Sequence, residues 1–573
     1  MLRVLVILIG IAVLVGAGAA YYLGPARLGE LAGGVLSGDG ETSGPPEPLA
    51  SAGAREPLFD DLGKLGWPVT TKVPLAQAYF DQGLRWTYAF NHSAARRAFQ
   101  EAQRQDPGCA MCYWGEAYAL GPNINAPMPK EAVAPALDAI NKAKQLGGGA
   151  SPRERAIIDA TALRYSSEPD ADQAALNKAY AEAMAKLHTA FPDDQNLSVL
   201  YAEAIMNTTP WDYWQADGKT PKGEIGSAIE TIENVLAANR DHAGAIHFYI
   251  HLTEASTKPE AAVPHAEHLA QLMPGAGHLV HMGAHTFYRI GRFKDSVELN
   301  KKAVEADDRY FAKIDDATSL WRIGYHVHNI HFVVVSAFMT GDTATALDYA
   351  GRLQSAVSDN AAENVGWIQL IKQAPYLVNA HLSEPETVLA MGDPGEAFPF
   401  VRAMWRYARG IALARSDRLD EARAEAAAIA ALDQRKDITY PEDIAPAVSG
   451  VLQIARHVVE GRIAEAEGND AAAIAAYQAA VAAQDKLPYL EPPYWYYPVR
   501  QSLGAALMRA DKPAEAHEVF QAALARVPNN GWALYGLMQA QKALGDEASL
   551  AETEKRFKET WAGDPAALDM SRL

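Results

Sequence analysis

Positive charge is what this sequence lacks. Lys and Arg number 51 against 70 Asp and Glu, a formal net charge of −19, and no basic cluster relieves that balance anywhere along the chain. A nucleic-acid surface needs a basic stripe to displace counterions from phosphate, so that class of partner is excluded. Runs of Val, Ile and Thr are sparse while Ala is heavily used, which favours helices over sheet. There is no HExxH, no serine nucleophile elbow and no phosphate-cradling glycine loop, so the corresponding hydrolase and nucleotide chemistries find no support. Cysteine is confined to Cys109 and Cys112, and no His follows Cys112, so covalent haem attachment of the C-x-x-C-H kind is not supported either.

What is present begins with length. At 573 residues, 49% of them hydrophobic, the chain is globular but too long for one compact core, and several domains or a repeat array are expected. Residues 4–23, VLVILIGIAVLVGAGAAYYL, form an uncharged apolar run preceded only by Arg3. About 20 such residues span a bilayer. The segment 1–24 therefore reads as a signal anchor, with removal at the small-residue stretch Ala17-Gly18-Ala19 as the alternative. Either way the body is expected to be exported, anchored at the inner membrane or released to the periplasm. Residues 25–58, rich in Gly, Pro and Ser, read as a flexible tether.

From Ala76 onward the chain repeats itself. Gly83 is followed by Ala95, Phe99, Ala102 and Pro107, and Gly504 is followed at the same offsets by Ala516, Phe520, Ala523 and Pro528. Gly410 leads to Ala422 and Ala426, and Gly461 to Ala473, Tyr477 and Ala480. Small residues let two helices approach, an aromatic fills the gap to the next pair, and Pro ends the second helix. This spacing resembles the tetratricopeptide repeat family over most of residues 75–560. The phrases CAMCYWG, GPNIN and HLVHMGAH further resemble an exported, membrane-anchored bacterial subgroup of it. The resemblance implies an all-α, right-handed superhelical solenoid of helix–turn–helix units behind an N-terminal membrane helix. It also implies a division into a histidine-rich part (59–400) and C-terminal units (401–573). Spacing is degenerate over 150–240 and 355–400, and two aromatic, Pro-containing stretches (207–226 and 487–500) interrupt the helices.

Ten of the sixteen histidines fall between His247 and His331, in the phrases HFYIHLTE, HLVHMGAH and YHVHNIH and in the intervening HAEH. In the repeat family, the residues six and three before the small residue, and one and four after it, line the concave face. On that register His278, His281 and His285 share a stripe about Ala284. His247, His251 and Glu254 do so about Ile250, and His328 and His331 about Val334. Eight metal-capable side chains from three consecutive units are thus expected on one inner wall. Neutral imidazoles with one carboxylate suit Zn, Cu or Fe rather than Ca or Mg. Eight donors exceed one tetrahedral site, so a pair of ions, or one ion with histidines beside it, is expected. His265 and His268 fall on a second helix and read as structural. His326 lies off the stripe.

Cys109 and Cys112 fall on the inner stripe of an earlier unit with Glu116. They read as a disulfide, a redox pair or metal ligands. Asn123 and Asn125, in GPNIN, are pocket residues the resemblance implies, with turn-forming as the alternative; His92, at a turn between two helices, and Glu116, just after Gly115, are further pocket candidates. The resulting expectation is an exported repeat protein that binds a transition metal on a His/Glu surface, with enzymatic turnover left open. The alternative is a membrane-tethered scaffold that binds peptides or proteins in its groove without metal.

Overall fold

The structure, a computed structural model, describes residues 56–168 and 170–573. The apolar run at 4–23 and nearly all of the tether lie outside the described residues. Among the described residues no helix is long and apolar enough to cross a membrane.

Every named element among the described residues is helical, and pairing of extended chain is limited to isolated bridges at Asn123–Ala126 and Trp214–Pro221. The first helices are α1 (Pro74–Tyr88), α2 (His92–Gln105), α3 (Ala110–Leu120), α4 (Lys130–Leu146), α5 (Pro152–Thr161), α6 (Gln173–Ala190), α7 (Gln195–Met206) and α8 (Ile225–Ala238). The next are α9 (Ala243–Glu254), α10 (Val263–Leu272), α11 (Gly277–Arg289), α12 (Phe293–Phe311), α13 (Val327–Thr340) and α14 (Thr343–Ala356). Further helices continue to Glu547–Thr560. Successive helices joined by a few residues fold back on each other as αα-hairpins. Side chains cap several of them: Asn91 accepts from the Ala94 N–H at the start of α2, and Asp342 accepts from the Thr345 N–H at the start of α14.

The spacing read from the sequence has a direct packing cause. Phe99 of α2 lies between Gly83 of α1 and Gly115 of α3. A Cβ at those glycines would stand 2.7 and 2.3 Å from its ring. Phe520 stands in the same relation to Gly504 and Gly536, at 2.5 and 2.2 Å. One aromatic thus closes both its own hairpin and the joint to the next, and any residue larger than Gly would collide with it. Ala95, Ala102, Ala516 and Ala523 around these rings are fully buried. Pro107 and Pro528 stand just beyond the helix ends at Gln105 and Arg526. These features make the fold a tetratricopeptide-like helical repeat. Helices also fill the stretches where the spacing is degenerate, and the segments 207–224 and 487–499 run between helices.

The chain forms two compact units. One comprises the described part of Met1–Phe59 with Leu65–Ala245 and Pro441–Asp443; the other comprises Asp60–Lys64, Ile246–Tyr440 and Ile444–Leu573. The expected division at residue 400 followed the end of the histidine stripe. Compactness follows helix packing instead, which continues through the helix Pro399–Arg415 and keeps both stretches in one unit.

Candidate metal centre

All eight residues singled out for metal lie in the second unit. They come from α9, α11 and α13, each hairpin offering one helix. α11 has no solvent face: each residue from Gly277 to Tyr288 is buried. A helix covered on every side normally carries apolar residues all round. Here His278, His281 and His285 interrupt that rule along one stripe, and His247 and His251 on α9 face them. α13 is entered through a π-helical turn, Trp321–His326, a rare geometry that recurs at functional sites. This turn lays Tyr325 against His278, with ring centroids 4.5 Å apart.

The rings gather as two sets of three. In the first, His247 Nε2 lies 3.1 Å from His251 Nε2 and 3.2 Å from His278 Nε2. In the second, His281 Nε2 lies 2.8 Å from His285 Nε2, and the His328 ring is 4.8 Å from that of His281. Within each set one ring nitrogen per residue falls within 4.8 Å of the other two. The sets adjoin: His278 and His281 are 5.8 Å apart, and His251 and His285 6.0 Å, between centroids. Those separations match the spacings inside each set, which run from 4.7 to 6.3 Å.

A neutral imidazole has one N–H and one lone pair, so three Nε2 atoms facing one point cannot all be satisfied by one another. His251 gives its Nδ1–H to Glu254 Oε1 at 2.8 Å, and His281 gives its Nδ1–H to Asn300 Oδ1 at 2.6 Å. Both therefore present a bare Nε2 to their sets. Burial holds His251 below the ordinary imidazole range, and burial with neighbouring histidines holds His278 and His328 well below it. Burial and His285 do the same to His281. The neutral form is the one that ligates metal.

Glu254 is not among the converging donors. Its Oε1 meets His251 Nδ1, and its Oε2 lies 2.6 Å from His285 Nδ1. The second contact is an ion pair by distance rather than a well-aligned hydrogen bond. One carboxylate therefore backs one ring in each set, the position from which carboxylates orient metal-binding histidines. Burial would raise its pKa, but His285 and the hydrogen bond from His251 bring it down to about 2. Burial opposes a charge on His285, yet the Glu254 carboxylate outweighs it and raises that pKa. Glu254 was expected as a ligand; its two oxygens are turned to the far side of the rings.

His331 is also outside both sets. It is buried near Tyr496, its two nitrogens have no hydrogen-bond partner, and burial takes its pKa down to about 3. One helical turn beyond His328, it has passed the end of the cluster. The residues do not form the open concave wall expected: five of the six ring donors are buried, and His328 alone is partly exposed. Helices on every side close over that wall. Phe332 packs on His281, His285 and His328, with centroids 4.8 to 5.0 Å away.

Sequence reasoning missed Asn300 and Glu491. Asn300 is a buried amide at a packing position of the amphipathic helix α12, tied to Ser296 O at 2.7 Å, and an amide at such a position was the available signal. Glu491 comes from the Pro-rich segment after Gln484, and no periodicity pointed to it. Burial, against Arg289 and His285, pushes its pKa up to about 7. His326 pairs with Asp307, its Nδ1 3.3 Å from Oδ2, rather than backing a ligand. His265 and His268 sit half-exposed on α10.

In the first unit, Cys109 and Cys112 form a disulfide with Cα atoms 5.4 Å apart, both buried at the start of α3. Asn123 Nδ2 meets His92 Nε2 at 3.3 Å, and Asn123 Oδ1 also accepts from the Asn125 N–H. Glu116 does not join them: Arg96, Gln100 and Gln103 of α2 hold its carboxylate. It points to the α2 face of α3, while Asn123 lies past the far end of that helix.

No protein-family model matches the chain, and no curated protein matches it. Among solved structures, the human IFIT1 dimer with m7Gppp-AAAA is 11% identical, covering 86% of this chain and 90% of its own, with a TM-score of 0.30. Yeast Tom70 is 9% identical, covering 85% and 93%, with a TM-score of 0.28. Likeness at this level carries no argument about function.

Proposed function

We propose that this is a helical-repeat protein that binds transition-metal ions, Zn, Cu or Fe, at two adjacent tri-histidine centres. One centre is His247, His251 and His278; the other is His281, His285 and His328. The observation that supports it is the convergence of three mutually close imidazole nitrogens in each set, buried and backed by Glu254 and Asn300. Ordinary core histidines pair with hydroxyls or backbone carbonyls, whereas three ring nitrogens turned to one point form a donor set that one cation can share. The test is elemental analysis of protein made without a histidine tag. Two ions per chain are expected, and the double variant His281→Ala/His285→Ala is expected to lose the ion of the second centre, with part of the thermal stability, while keeping that of the first. Metal-free protein that is not stabilised by added Zn²⁺ or Cu²⁺ would refute the reading.

A second reading is a partner-binding scaffold without metal. The repeat architecture supports it, because stacked hairpins build extended binding surfaces. The burial of the histidines removes them from that surface, so they would not read a partner. Pull-down partners that survive both chelation and the histidine substitutions would favour it. We place the body on the exported side of a membrane, held by the apolar run 4–23. The disulfide Cys109–Cys112 suits an oxidising compartment and supports this.

A further inference from the structure

We propose that the helices from Ala445 onward build a peptide-binding seat, and that the chain's own segment Asp564–Leu573 occupies it. The partner that displaces this segment is an extended peptide with two leucine-like side chains five residues apart. This goes beyond the metal reading and does not depend on it.

The segment lies as a bound peptide does. Ahead of it Trp561 is buried against Trp532 and Phe557, and the Ala562 N–H donates to Thr340 O at 2.8 Å, which fixes the chain at the end of α13. Beyond that anchor only the short 3₁₀ turns Pro565–Ala567 and Met570–Arg572 remain. From Asp564 to Leu573 the buried side chains are those of Leu568 and Leu573, 8% and 0% exposed. The N–H groups of Ala566, Ala567, Leu568, Ser571 and Arg572 bond within the segment. Its carbonyl oxygens turn to the helices instead. The Tyr535 hydroxyl donates to Leu568 O at 3.1 Å, and Arg462 donates to Ser571 O at 3.3 Å and to Leu573 O at 2.8 Å. The Ser502 hydroxyl donates to Leu573 O as well.

The receiving side is assembled from three helices. Arg462 comes from Ala445–Ala466, Ser502 from Arg500–Arg509 and Tyr535 from Gly531–Leu544. In the repeat register Arg462 stands one residue after the small residue Gly461, an inner position. Arginine is almost never buried without partners, yet Arg462 is 9% exposed. Glu465 at 3.0 Å and the Tyr477 ring at 5.9 Å answer its charge, while its Nη2 is given to the Leu573 oxygen.

This division of labour is that of peptide recognition. Donors aimed at main-chain oxygens hold an extended chain of any sequence, and pockets for particular side chains select among sequences. Here the donors are Tyr535, Arg462 and Ser502, and the selecting side chains are Leu568 and Leu573. A segment with two buried side chains and short turns opens at low cost compared with a packed helix. Because the Trp561 anchor precedes it, the segment can leave while the helix Glu547–Thr560 stays packed. Arg572 adds an exposed pair with Glu384 at 3.5 Å, which contributes little. Tethering gives such a segment an effective concentration of about 1 mM. It therefore holds off an untethered peptide of equal affinity until it is released.

The experiment titrates a fluorescein-labelled peptide DPAALDMSRL, the sequence of Asp564–Leu573, with the whole chain and reads fluorescence anisotropy. The full-length variant Leu568→Asp/Leu573→Asp releases the segment and leaves the receiving helices untouched. It is expected to keep its helicity and to bind the peptide at least tenfold more tightly than wild type. Adding Arg462→Met to that variant should weaken binding at least tenfold, and adding Ser502→Ala should weaken it severalfold with folding unchanged. A peptide carrying Asp at both leucine positions should not bind. Equal binding by wild type and the released variant, or binding indifferent to both Arg462→Met and Ser502→Ala, would overturn the proposal. A released variant that loses its helicity would show that the segment belongs to the core, and would overturn it too. Anisotropy reads the peptide alone, so failure here leaves the metal reading standing, and protein without metal leaves this one standing.

Discussion

Replacing Glu254 by Gln tests whether one side chain supports both centres. The carboxylate offers Oε1 to His251 Nδ1 at 2.8 Å and Oε2 to His285 Nδ1 at 2.6 Å. The amide has nearly the same shape but only one acceptor oxygen, and its other end is a donor. It can keep the Nδ1–H of one histidine. The other histidine then faces an NH₂ group and must turn its lone pair to Nδ1, which puts its proton on Nε2, the atom that would hold the ion. One centre thus loses a ligand outright, and the other keeps a weaker hydrogen bond in place of a charged one. Loss of a partner behind a metal-binding histidine costs about 10- to 100-fold in affinity, or ~1.4–2.8 kcal/mol. Titration with Zn²⁺ in competition with a chromogenic chelator should show both constants weakened, one by at least that factor. Asn300→Ala should weaken only the centre holding His281, whose Nδ1–H it accepts at 2.6 Å. Two constants within a factor of two of wild type in Glu254→Gln, with helicity unchanged, would refute the bridging role.

Two further outcomes follow from burial. His331 has two polar nitrogens without partners in a dry site, so His331→Leu should leave metal content intact and raise stability by about 1–2 kcal/mol in urea unfolding; loss of metal in this variant would put His331 back among the ligands. Metal-free protein should be acid-labile. Burial lowers His331 and His381 from 6.5 to about 3, and His92 and His242 to about 4, so the unfolded chain takes up protons at these residues before the folded one does. Stability should therefore fall as pH drops from 6.5 towards 3, by up to roughly 3–5 kcal/mol per histidine. Glu254, down to about 2, adds a loss that begins below its ordinary 4.5. A flat midpoint between pH 7 and 4 in urea titrations would contradict these burial environments.

Local sequence determined the helices and the hairpin joints of this protein. Gly83, Phe99 and Gly115 must recur at fixed spacing because a single ring has to fit between two bare backbones, and such a constraint is written in consecutive residues. The grouping of the histidines was equally legible, since i, i+3, i+4 and i+7 share a helical face whatever lies opposite. What lies opposite was not. The division into two sets of three, the exit of His331 and the turning of Glu254 to the rear of the rings depend on how far α9, α11 and α13 are rotated and slid against one another. That is fixed by side chains elsewhere, among them Phe332 and Asn300 and the π-helical turn at Trp321–His326. Periodicity specifies which face a residue occupies, but the distance across the gap to the next helix is decided only when the whole core packs.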